Sequence, residues 1–135
     1  MRQEIVNAVI DRLRSLGIFK QVADTWISIE EFKPFHTPSA FVLLGRENRE
    51  YSGSRVICYF DVIIRLLIYD KEHLTTKLND TIQQVLSIFE EDPYLGGKSD
   101  FPVQVVDIEP TEGFFAPFEV ADITVRTVYT IVSNA

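Results

Sequence analysis

The residues able to do chemistry are few in this chain, and their spacing brings none of them into a working constellation. Its two histidines, His36 and His73, lie far apart: one in the run Pro34-Phe35-His36-Thr37-Pro38, the other in the first turn of a predicted helix. A catalytic base needs a nucleophile and an orienting partner within reach, and the sequence offers neither beside them. Glu90, Glu91 and Asp92 form an acidic cluster where a helical pattern ends, which reads as a solvated helix terminus rather than a metal site. Asp61 and Asp122 could be taken for paired catalytic carboxylates. Each, however, has an arginine four positions on along its own strand face, Arg65 and Arg126, so ion pairing is the better reading. There is no GxxxxGK[ST] loop, no dinucleotide fingerprint, no CxxC and no HExxH. The sequence therefore assigns no catalytic, cofactor-binding or metal residue, calls for no cofactor, and points away from an enzyme.

The aromatic residues carry more information. The stretch Gly113-Phe114-Phe115-Ala116-Pro117-Phe118 places three phenylalanines beside a connection between predicted strands. Connections run over the surface, and aromatic side chains are enriched at protein interfaces. Trp26, Phe32, Phe35, Phe114, Phe115 and Phe118 are therefore candidate subunit-contact residues. A loop folded back on its own core is the competing explanation.

Those candidates need a scaffold, and it is organised around residues 55–69. Their even-numbered side chains are Val56, Cys58, Phe60, Val62, Ile64, Leu66 and Ile68, with no charged member. The odd-numbered set mixes Ile57, Tyr59, Ile63, Leu67 and Tyr69 with Arg55, Asp61 and Arg65. Alternation of this kind, in β-branched and aromatic residues, predicts a long strand with one dry face.

Before it, residues 2–16 place Ile5, Val6, Val9, Ile10, Leu13 and Leu16 at helical spacing, closed by Gly17. Residues 18–38 read as an extended arm, with a short strand possible at Trp26-Ile27-Ser28-Ile29. A strand follows over 40–46, then a polar linker over 47–54 that makes a hairpin with the long strand. Asp70 is placed to cap a second helix over 71–91, whose Leu74, Leu78, Ile82, Val85, Leu86 and Phe89 share a side. Strands over 103–109 and 118–132 complete the chain. The predicted fold is one α+β domain over residues 1–135, with about four strands in a largely antiparallel sheet and two helices on one face.

The two long strands admit an antiparallel register in which paired residue numbers sum to 187. Asp61 then faces Arg126, Arg65 faces Asp122, and apolar residues meet on the dry side. Cross-strand pairs of both kinds contribute about 0.2–1 kcal/mol each, and a two-faced pattern fixes register.

Composition narrows the functional classes. The 46% hydrophobic content is that of an ordinary globular domain, and no apolar stretch is long enough to span a membrane. The start, Met1-Arg2-Gln3-Glu4, opens a helix rather than a signal peptide. The single cysteine, Cys58, allows no intrachain disulfide, which suits synthesis in a reducing cytoplasm. A net charge of −7 argues against a surface that grips phosphates.

In element order and in its small motifs the chain resembles the tail terminator (tail completion) proteins of long-tailed bacteriophages and prophages, the group that includes the lambda minor tail protein U. The resemblance is carried by the N-terminal helix ending at Gly17, the Pro38-Ser39-Ala40-Phe41-Val42 lead-in to the hairpin, the long strand running into helix 70–91, and the closing Pro117-Phe118-Glu119-Val120-Ala121-Asp122-Ile123-Thr124-Val125 with Tyr129 beyond. It implies a virion structural protein, made and assembled in the bacterial cytoplasm. Such a protein would form a ring of itself, a hexamer, that caps the tail tube and ends its polymerisation. Tail tube protein and head–tail connector proteins are the implied partners, with DNA passing through without being specifically held. A neck or head–tail connector protein of the same particle, and a small oligomeric ligand-binding α+β module, are the alternatives.

Overall fold

The computed structural model describes residues 1–26, 33–110 and 117–132. Helix α1 (Arg2–Ser15) buries Ile5, Val6, Val9, Ile10 and Leu13, the stripe its spacing dictates. Glu4 in its first turn and Arg12 and Arg14 in its last complement the helix dipole. Gly17, at φ +70°, releases the chain from the helix. Arg14 Nη2 then donates to the Val22 carbonyl at 3.2 Å, tying the helix end to β1 (Gln21–Ala23).

A single 3-10 turn at Pro34–His36 leads into β2 (Ser39–Ser52). Strand β3 (Arg55–Tyr69), helix α2 (Leu74–Glu91), β4 (Gln104–Pro110) and β5 (Phe118–Val132) follow. The five strands form one sheet in the order β1-β2-β3-β5-β4. Only the short β1 pairs parallel, with Ser39, Ala40 and Phe41 of β2; the other pairings are antiparallel.

The sheet departs from the expected four strands in β1, which is three residues long and carries one buried side chain, Val22. Strand β2 is also twice the predicted length. The stretch expected as a linker continues as strand to Ser52, and the chain reverses at Gly53-Ser54, with Gly53 at φ +60°. Residues 47–52 are polar because they lie on the sheet margin, so no apolar alternation marks them. Helix α2 begins at Leu74 rather than residue 71. Asp70 Oδ1 instead accepts from the Glu72 and His73 backbone N–H groups at 2.9 and 2.8 Å, holding the approach in a turn.

Strands β3 and β5 pair along their full lengths, from Arg55↔Val132 to Tyr69↔Phe118, in the register whose numbers sum to 187. Cys58, Phe60, Val62, Ile64, Leu66 and Ile68 meet both helices in the main core, with Ala121, Ile123, Val125 and Tyr129 beside them. Burying each large aliphatic side chain contributes roughly 1.5–3 kcal/mol. Among the described residues the opposite face of the sheet carries no helix. It holds a small cluster of Phe41, Leu67 and Val120, with Trp26, Leu43 and Phe118 packed against it.

Candidate subunit interface

The helix-free face is built on two cross-strand ion pairs. Arg65 reaches Asp122 through Nε–Oδ1 at 2.8 Å and Nη2–Oδ2 at 2.9 Å. Arg126 reaches Asp61 in the same bidentate way, at 2.9 and 3.1 Å. Parallel N–H···O bonds of this kind fix the plane of both partners. The hydrogen bonds from each arginine to its aspartate raise the arginine's pKa further above its ordinary value. With each aspartate held in two hydrogen bonds by arginine, this arrangement orients charge on the sheet surface.

Beside the first pair, the Arg65 guanidinium stacks over the Trp26 ring at 4.9 Å. Trp26 stands edge-on to Phe41 at 4.9 Å, so this candidate contact residue is half-buried within its own chain. Phe118 is likewise half-buried, its ring 5.0 Å from Tyr69. Phe35 differs: it is 72% exposed, with His36 as its ring neighbour at 4.3 Å. Phe32, Phe114 and Phe115 lie outside the described residues.

A second polar cluster closes the helix-covered side at the β2 bulge. Glu47 accepts from the Tyr129 hydroxyl and from Arg49 Nε, and lies 3.6 Å from Arg2 Nε. The Arg2 guanidinium also sits 4.7 Å over the Phe60 ring, so the start of α1 is clamped to the sheet. Burial would raise the Glu47 pKa, but the bonds from Tyr129 and Arg49 and the charges of Arg2 and Arg49 outweigh it and hold the carboxyl below its ordinary value. Burial, reinforced by the bond to Glu47, pushes Tyr129 up to about 12. The bulge itself depends on Gly45, where a Cβ would stand 2.7 Å from the Asp61 carbonyl oxygen.

Among the described residues no group of three or more His, Cys, Asp or Glu could hold a metal ion, and no helix is long and apolar enough to cross a membrane. An open groove of about 520 Å³ runs between α2 and β4, lined by Leu74, Leu78, Ile82, Ile108, Pro110 and Glu119 among others.

The apolar side chains on the sheet margins and strand ends carry no signal in the sequence. Tyr51 of β2, Val105, Val106 and Ile108 of β4, and Ile131 and Val132 at the end of β5 are exposed. Nothing in their local pattern marks them, because exposure at an edge follows from strand order.

No family model matches the chain, and no curated protein matches it. Among solved structures, a chain described as "Virion of native gene transfer agent (GTA) particle" aligns over 91% of this chain and 92% of its own, at TM-score 0.51 and 13% identity. The two chains are similar in fold. Their alignment leaves little of either chain over.

Proposed function

We propose that this chain is a structural protein of a phage-like particle: a tail terminator that forms a ring of copies of itself, caps the tail tube, and ends tube polymerisation where the head will join. The observation that carries the reading is the fold likeness to the gene transfer agent virion chain, which runs nearly the full length of both proteins. It is joined by the resemblance in the Pro38–Val42 and Pro117–Val125 motifs. The helix-free sheet face, with its charges locked in bidentate pairs, is a preorganised surface for protein contact. Exposed aromatic and aliphatic groups at the sheet margins give the copies apolar surface to bury against one another.

In this reading the chain performs no reaction. Its partners are its own copies, the tube protein and the connector proteins of the head, and its place is the virion after assembly in the bacterial cytoplasm. A net charge of −7 keeps a ring lumen from trapping the DNA that passes through it.

Deletion of the gene from the element that carries it is the test. Electron microscopy should find tail tubes of uncontrolled length and heads without joined tails. Tails of normal length joined to heads would reject termination, and normal tails with unjoined heads would favour the connector alternative.

A further inference from the structure

Among the described residues the sheet has two open margins, and their chemistry is complementary. Strand order places β4 at one margin. At the other, β1 covers only Ser39, Ala40 and Phe41, so β2 from Val42 to Ser52 has no outer strand partner among the described residues. Edge strands are commonly protected by charge, by β-bulges, by lysine or by interior proline, and β2 and β4 each carry one bulge. Neither β2 nor β4 contains a lysine, and the single proline is Pro110, at the end of β4.

Charge differs between the margins. On β4, Asp107 and Glu109 form no ion pair among the described residues. On the hairpin, Arg46 and Arg55 likewise form none, while neighbouring Glu47 and Glu50 are engaged by Arg49 and by the Tyr59 hydroxyl. The β2 margin therefore offers a cation at Arg46, with Arg55 beyond it on β3 at the hairpin tip, and the β4 margin offers two anions. Each also carries apolar groups: Val105, Val106 and Ile108 are 39–41% exposed on β4, and Tyr51 is 72% exposed on β2.

Strand direction agrees as well. The steps β2 to β3, β3 to β5 and β5 to β4 are each antiparallel, so β4 runs opposite to β2. A second copy added in the same orientation would meet β4 with its own β2 antiparallel, continuing the ladder.

We infer that β4 of one copy and the hairpin half of β2 of the next form the head-to-tail contact through which this chain assembles, with Asp107 and Glu109 facing Arg46 of the neighbour. The inference rests on the self-assembly proposed above. Such a contact uses one margin of each kind per copy, so it propagates until the rotation between copies closes a ring.

Charge reversal tests it with the full chain. Asp107→Lys with Glu109→Lys makes both margins cationic, and Arg46→Glu makes both anionic. Each variant alone should keep the wild-type circular dichroism spectrum and associate at least ten-fold more weakly in sedimentation velocity. An equimolar mixture of the two variants should recover assembly, because each then supplies the margin the other needs. The inference is overturned if either variant assembles like wild type, or if both dissociate and the mixture stays dissociated. A wild-type chain that is itself monomeric would overturn both this contact and the self-assembly on which it rests.

Discussion

Arg65 and Asp122, on adjacent strands and 57 residues apart in sequence, are joined by two parallel hydrogen bonds of 2.8 and 2.9 Å, with the Trp26 ring stacked against the guanidinium. Both side chains are about a quarter exposed, so solvent weakens their attraction. A double-mutant cycle of Arg65→Ala and Asp122→Ala in urea unfolding should give a coupling of about 1 kcal/mol. A coupling near zero would mean that the pair sets geometry without stabilising the sheet.

The dry face of β3 should behave as the core. Ile64 is fully buried between the helices and β5. Ile64→Ala should cost about 2–5 kcal/mol through lost transfer energy and the cavity left behind. Phe35→Ser, at a site 72% exposed, should stay within about 0.5 kcal/mol of wild type. If Phe35 is a subunit contact, that same substitution should weaken assembly while leaving the monomer's melting curve in place. Unfolding of the Phe35 variant would place the ring in the core.

Gly45 is the backbone test. A Cβ there would come within 2.7 Å of the Asp61 carbonyl oxygen, a backbone atom with little room to yield. Gly45→Ala should destabilise by about 1–3 kcal/mol and broaden amide signals on both sides of the bulge. An unchanged melting temperature would show that the bulge relaxes freely.

Alkaline stability should report on Tyr129. Its pKa is raised from 10.0 to about 12 by burial and by donation to Glu47. The neutral phenol is the favoured form in the fold, so its contribution is complete below the ordinary tyrosine value and is lost as pH rises toward 12. Glu47 works in the opposite direction: its lowered pKa adds stability above the ordinary glutamate range, which is lost as pH falls through the folded-state value. Wild type should therefore lose on the order of 1 kcal/mol more than Tyr129→Phe between pH 10 and 12. Parallel pH–stability curves for the two proteins would contradict this.

The β3–β5 register was legible in the sequence because both strands are two-faced: a one-residue slip of either strand would turn that strand's aspartate and arginine into the core. Helix α1 was legible for a similar reason, since its apolar stripe is unbroken. The outer half of β2 was not. Glu47, Asn48, Arg49 and Glu50 look like a linker, and only their pairing with Ile57, Cys58, Tyr59 and Phe60 makes them strand. Trp26 carries the sequence marks of aromatic surface, yet its ring stands edge-on to Phe41 of its own chain. The margin residues Tyr51, Val105 and Ile108 had no local signal at all, because their exposure depends on which strands end up outermost.

The proposed self-assembly is tested most directly by the mass of the purified protein across a wide concentration range, read by light scattering and paired with negative-stain images. A closed ring of six copies with a central opening, forming as concentration rises, is the predicted result. A particle of single-chain mass at every concentration, with no rings in the images, would contradict it.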